Sequence, residues 1–250
     1  MDQEKHWNRI SSTYEDEIFD VFKSDKHKIL PTYFRKHANK NHTAIDFGCG
    51  VGKAFKYLSP IFKSVLATDI SDELIAIARK KNYSNITYKQ ADLTNKRVRF
   101  PLSDFAFCCN VIMLPEVERN LDMIINIGKS LKPKGYAMIV VPSLESALYS
   151  AWQLIEWSKK EGIKPAEIDK DELSSLKNSK TDIVQGLIQI DNVTTKHYSR
   201  EELYVLFERA GLRITALEKI EYEWNTEFNS PPTWMKAPYP WDWLIECKRM

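Results

Sequence analysis

Three glycines at alternate positions, Gly48, Gly50 and Gly52, follow the apolar run "TAIDF" and are the first residues in the chain whose spacing points to chemistry. A strand, a glycine-rich turn and a helix start bring unpaired N–H groups and a helix dipole to one point, where a ligand can lie against bare backbone. Asp69 ends the next apolar run about 20 residues on, the interval at which a carboxylate reaches ribose hydroxyls, so the pair implies a ligand with a ribose. Two features turn the loop away from a dinucleotide. The third glycine of "GCGVGK" comes one residue early for G-x-G-x-x-G, and Asp46, two residues before the first glycine, would repel a pyrophosphate. A carboxylate there suits a ligand with a positive charge.

Other residues are candidates for chemistry with competing plain readings. Asn110 follows an apolar run and either faces the ligand or caps a strand-to-helix turn. His197, just before the capping Ser199, is either a base near neutral pH or part of a turn. Cys108 and Cys109 lie within an apolar run and read as buried packing. With Cys49 and Cys247 they form no CxxC, so neither a zinc site nor a disulfide framework is expected. His6, His27, His37 and His42 have no metal-ligand spacing and are expected to be solvated. No metal is predicted.

The elements that must hold these residues alternate from residue 43 onward. "TAIDF", "SVLATDI", "ITYKQAD", "FAFCCNVIML", "YAMIVVP", "LRITALEKIEYEW" and "WDWLIECKR" are seven candidate strands, separated mostly by segments of helical period. Ser71 caps one predicted helix, Pro115 opens another, and Ser199 with Glu202 forms a capping box for a third that Gly211 ends. The last two strands are joined by a proline-rich segment too short for a crossover helix, so they are expected to pair antiparallel. Residues 1–41 read as two helices, the second kinked or split at Pro31. In the first, Tyr14, Ile18 and Phe22 mark an apolar face. Residues 144–195 are too long for a simple connection. Leu144, Leu148, Trp152, Leu154 and Ile155 predict an ordered helix there, over a substrate pocket to which one or two of Trp152, Trp157, Trp224, Trp234, Trp241 and Trp243 contribute.

With these positions in place, "AIDFGCGVG" resembles the first motif of the class I S-adenosylmethionine-dependent methyltransferases, D/E-x-G-x-G-x-G, matched by Asp46, Gly48, Gly50 and Gly52. "LATDIS", "KQADL", "CCNVIML" and "LKPKGYAMIVVPS" are similar to later motifs in order, the last with one glycine of the usual pair replaced by Lys134. The resemblance implies a seven-stranded Rossmann-like sheet, mostly parallel with an antiparallel last strand and helices on both faces. It implies an N-terminal helical lid (1–41), a core (42–143 and 196–250) and a helical substrate-cap insertion (144–195). It assigns Asp69 to the ribose, Ile70 to adenine packing, Asp92 to the adenine amino group and a Leu93 backbone N–H to the base. Tyr14, Cys49, Asn110 and Val111 join the cofactor-binding set, and Asn110 and His197 become the catalytic candidates. The expected cofactor is S-adenosylmethionine, leaving as S-adenosylhomocysteine.

Thirty-six Lys and Arg against 34 Asp and Glu give no strong basic excess, so a nucleic-acid partner is not expected. No apolar run is long enough to span a bilayer and the N-terminal residues lack signal-peptide character, so a cytoplasmic protein is expected. The predicted reaction is methyl transfer to a small-molecule acceptor at oxygen, nitrogen, sulfur or carbon. An RNA or protein methyltransferase and a non-catalytic S-adenosylmethionine-binding regulator are the alternatives.

Overall fold

A computed structural model describes residues 3–168, 173–177, 179–190 and 193–250. The elements run α1 (Gln3–Arg9), α2 (Tyr14–Glu17), α3 (Val21–Ser24), α4 (Ile29–Lys36), β1 (Asn39–Phe47), α5 (Phe55–Leu58), β2 (Phe62–Asp69), α6 (Asp72–Arg79), β3 (Ile86–Gln90) and β4 (Ser103–Cys109). They continue with α7 (Val117–Ser130), β5 (Leu131–Pro142), α8 (Leu144–Lys160), α9 (Ser174–Lys177), β6 (Leu187–Ile190), β7 (Val193–Lys196), α10 (Arg200–Arg209), β8 (Leu212–Glu221) and β9 (Trp241–Arg249).

The seven expected strands form one sheet in the order β3-β2-β1-β4-β5-β9-β8. Pairing is parallel from β3 through β5, and β9 runs antiparallel to both β5 and β8. Side chains alternate across the sheet as the two-residue strand period requires. Ile45, Phe47, Ala106, Cys108, Ile139 and Ile245 pack under α7 and α10. Ala44, Phe105, Phe107, Met138, Val140 and Leu244 pack on the other face with Leu30, Phe34, Phe55 and Leu58. Both faces are covered, so the central strands read as unbroken apolar runs rather than alternating ones.

Several local expectations hold. Ser71 Oγ accepts from Leu74 N at 3.0 Å, and Gly211 ends α10 at φ 73°. Others need correction. Pro115 stands outside α7, one residue before the N-cap Glu116. Ser199 Oγ accepts from Glu202 N at 3.4 Å, but the Glu202 carboxylate turns to Lys196 Nζ at 2.7 Å instead of completing the box. Residues 3–36 form four short helices, not two. Pro31 lies in the first turn of α4, where the N–H it lacks has no intrahelical acceptor, so the helix runs on through it.

His37 is not solvated: its side chain is 10 % exposed and Nε2 meets Glu246 Oε1 at 2.7 Å, pinning the end of α4 to β9. Burial lowers its pKa against the pull of Glu246. Inside β5, where the pairing with β4 shifts register between Leu131 and Tyr136, Lys134 takes φ 67°, the left-handed conformation that the missing glycine would have entered without strain.

Helix α8 forms where expected, yet its buried face is not the apolar one. Ser146, Ser150, Leu154 and Ser158 are buried at four-residue spacing, while Leu148 and Trp152 are exposed. Ser146 Oγ accepts from Trp241 N at 2.7 Å, so the helix is fastened to β9 by a polar contact. Trp224, Trp241 and Trp243 are buried and Trp234 is exposed.

Candidate functional site

The carboxyl ends of β1, β2, β4 and β5 open on a cleft of about 1490 Å³. The loop after β1, which meets the cleft at Gly48 and Cys49, holds Gly48, Gly50 and Gly52 at φ 67°, 51° and 78°, a region that L side chains rarely adopt. A Cβ on Gly48 would stand 2.1 Å from Val111 Cγ2, and one on Gly50 would stand 2.6 Å from the Tyr14 hydroxyl oxygen. The glycines therefore let Val111 and Tyr14 close onto bare backbone. Tyr14 comes from α2. Ile18 and Phe22 also line the cleft, although the chain between Tyr14 and Phe22 is two short helices rather than one amphipathic helix.

Two carboxyl groups lie beside this loop. Asp69 Oδ2 accepts from Gly50 N at 2.8 Å and Oδ1 from Ser71 N at 2.9 Å. These bonds favour its charged form, but burial outweighs them and raises its pKa. Asp46 is 2 % exposed and its Oδ2 has no hydrogen-bond partner. Burial, reinforced by the charge of Asp69, pushes its pKa up to about 8. A buried carboxyl left unpaired beside an open cradle is a group awaiting a donor. The ammonium of an amino acid ligand is such a donor, so the residues fit S-adenosylmethionine. Burial also raises the Tyr14 hydroxyl, first by desolvation and then by the charge of Asp69.

Farther along, Ile70, Asp92 and Leu93 line the same cleft. Asp92 Oδ1 is engaged by Thr94 N at 2.8 Å and Thr94 Oγ1 at 2.7 Å, and the Leu93 carbonyl accepts from Asn126 Nδ2 at 2.8 Å. Cys49 is buried in the loop and its thiol is raised well above its ordinary range by desolvation. The N-terminal segment docks over this end: Ser71 Oγ donates to Asn8 Oδ1 at 2.5 Å, Asn8 Nδ2 donates to Asp72 at 3.0 Å, and Gln90 donates to Glu4 at 3.0 Å.

Asn110 follows β4 in a left-handed conformation, φ 52°. Its Nδ2 donates to Asp242 Oδ2 at 3.3 Å and its Oδ1 is buried without a partner. His197 also lines the cleft, 6 % exposed, with Nδ1 3.2 Å from the Thr195 carbonyl. A carbonyl can only accept, so Nδ1 carries the hydrogen. Burial lowers this imidazole to about 4, which keeps it neutral at pH 7.

The structure thus gathers all of the sequence-predicted residues except Gly50 and Gly52 along the cleft wall; Gly50 backs onto Tyr14 and Gly52 onto Phe55. It adds three that the sequence reading missed: Asp242, Tyr222 and Glu227. For Asp242 the signal lay in strand direction. Because β9 runs antiparallel, its beginning, and not its end, reaches the carboxyl edge of the parallel strands, where Asp242 pairs with Pro142.

The family described as a methyltransferase domain matches residues 19–217. A methyltransferase, 235L, of Invertebrate iridescent virus 6 is 38% identical over 60 residues, 23% of this chain and 22% of that protein. The match therefore spans about a fifth of the length of this relative. Among solved structures, a S-adenosylmethionine-dependent methyltransferase of Methanosarcina mazei has a TM-score of 0.61 at 18% identity, covering 87% of this chain and 97% of its own. The N-methyltransferase NodS of Bradyrhizobium japonicum, in complex with S-adenosylhomocysteine, has a TM-score of 0.59 at 13% identity, covering 97% of this chain and 98% of its own. Sheet order, glycine loop and family match agree: the chain belongs to the class I S-adenosylmethionine-dependent methyltransferases.

Proposed function

We propose that this protein transfers the methyl group of S-adenosylmethionine to a small-molecule acceptor held in the same cleft. One observation carries the acceptor class. The cleft does not stop at the glycine loop but continues past Asn110 to residues outside the common sheet: Ser146, Ser150 and Leu154 of α8, Ile188, Ile190 and Val193 of the β6–β7 hairpin, and the turn Thr226–Phe228. A volume of about 1490 Å³ exceeds the ~300–1,000 Å³ of a single ligand pocket and suits a cofactor with a compact acceptor beside it.

In this reading Asp46 takes the cofactor ammonium, the Gly48–Gly52 loop with Cys49 cradles its amino acid end, and Tyr14 covers that end. Asp69 takes the ribose hydroxyls, Ile70 packs on the adenine, and Asp92 with the Leu93 N–H reads its edge. Val111 and Asn110 wall the methyl-bearing region. His197, neutral, offers a hydrogen-bond group on the acceptor side. Residues 1–41 act as the lid and 144–195 as the substrate cap. The bound cofactor supplies a methyl group already activated on a sulfonium, so the protein's work is alignment, worth up to ~7–11 kcal/mol.

The test is S-adenosylhomocysteine release with metabolite, RNA and protein fractions of a cell extract supplied separately. Release with the metabolite fraction is expected. Release confined to RNA or protein would refute the acceptor class, and cofactor binding without release in any fraction would favour a regulator.

A further inference from the structure

The acceptor end of the cleft holds two carboxyl groups that form no ion pair among the described residues. Asp242, at the start of β9, lies on the same sheet face as Asp46. It accepts from Tyr222 OH at 2.8 Å and from Asn110 Nδ2 at 3.3 Å. Burial pushes its pKa up to about 6 against these two bonds, and the charge of Glu227 adds to the rise. Glu227, in the turn after Trp224–Thr226, is an exposed residue that also lines the cleft; crowding by protein atoms raises its pKa against a hydrogen bond with Ser150.

Two polar atoms in the same walls are buried without partners, Asn110 Oδ1 and Trp241 Nε1, while the Ser150 hydroxyl lies within reach of the Glu227 carboxylate. Phe19, Tyr222 and Phe228 contribute rings to the lining. The Trp241 ring already carries Lys219 Nζ at 3.5 Å, so recognition of a cation falls mainly on the carboxylates.

Resting on the reading that the cleft takes a small acceptor, we propose that the accepting atom is the nitrogen of a primary or secondary amine, bound by Asp242, Glu227 and Asn110 Oδ1, with Asp242 receiving its proton. A neutral hydroxyl in this place would leave the Asp242 carboxylate without a cation and facing the charge of Glu227. An ammonium compensates both and supplies the donor that Asn110 Oδ1 lacks. The balance of the step is simple. The ammonium gives one proton to the Asp242 carboxylate, and the freed lone pair forms the bond to the methyl carbon. The carbon–sulfur bond breaks with its electron pair left on sulfur, the methylated nitrogen keeps the positive charge, and Asp242 sheds its proton to solvent.

The test is binding, which needs no turnover. Protein saturated with S-adenosylhomocysteine is titrated with benzylamine, phenethylamine and tryptamine, and with the matching alcohols benzyl alcohol, phenethyl alcohol and tryptophol. At least one amine is expected to bind tenfold or more tighter than its alcohol, and Asp242→Asn should reduce that preference to threefold or less in protein that still saturates with S-adenosylhomocysteine. If Asp242→Asn does not fold, Glu227→Gln carries the test, with a loss of preference of about threefold expected. Alcohols binding as well as amines, no amine binding, or an amine preference intact in the variant would overturn the proposal. Failure of S-adenosylhomocysteine itself to bind would instead strike the methyltransferase reading beneath it.

Discussion

Replacing Asp46 by Asn is the most searching perturbation of the cofactor site, because it keeps shape and removes only the ability to ionise. With a pKa of about 8, roughly nine in ten unliganded molecules hold this proton at pH 7. In the proposed mode of binding, the cofactor's ammonium against the unpaired Oδ2 stabilises the carboxylate and drives the proton out. Binding should therefore release ~0.9 proton more from the wild type than from Asp46→Asn at pH 7. Calorimetry in buffers of different ionisation enthalpy reads this number directly, and the variant cancels any proton exchanged by the ligand itself.

The same shift makes a second, independent statement about stability. The unfolded chain sheds this proton near pH 4 while the unliganded fold keeps it to about pH 8, so the contribution is a penalty that grows as pH rises between those values. By pH 7 it spans about three pH units at ~1.36 kcal/mol each, or ~4 kcal/mol. Asp46→Asn should flatten that part of the pH–stability profile and weaken cofactor binding by the ~1.5–3 kcal/mol of a charge-assisted hydrogen bond. Equal proton release from the two proteins would refute the assignment of Asp46 to the ammonium.

Three further outcomes follow from the geometry. Asp69→Ala removes the acceptor for Gly50 N and Ser71 N together with the proposed ribose contact, and should lower cofactor affinity at least ~10-fold by calorimetry; unchanged affinity would contradict the ribose role. Gly50→Ala places a methyl 2.6 Å from the Tyr14 oxygen at φ 51°, so it should displace Tyr14 and reduce cofactor binding, with a change in tyrosine fluorescence reporting the displacement. Lys134→Gly relieves the left-handed strain at φ 67° and should raise stability to urea by ~1 kcal/mol without affecting cofactor binding.

The sheet was legible in the sequence because its strands are buried on both faces and separated by punctuated helices. Ser71 and Gly211 mark boundaries by chemistry that does not depend on distant contacts. What eluded the sequence was set by those distant contacts. The expected apolar stripe of α8 fails because the helix lines the cleft and meets β9 through Ser146, so small hydroxyl residues lie inward and Leu148 and Trp152 outward. His37 was unreadable as a buried residue because its partner, Glu246, is 209 positions away. Asp242 was missed although the antiparallel ending was foreseen, since the rule applied to the site looked only to strand ends.

The two acidic groups of the acceptor compartment stand on different foundations. Asp242 belongs to β9, whose residues from Trp243 to Cys247 are buried between β5 and β8. A shift of one residue in that strand would turn Asp242 away and bring a tryptophan to its place, undoing the core at the same time. Glu227 sits on a turn whose sequence the core does not dictate. Sequence change can therefore retune what the compartment admits through the turn, while the proton-accepting carboxylate is held in place by the same packing that keeps the protein folded.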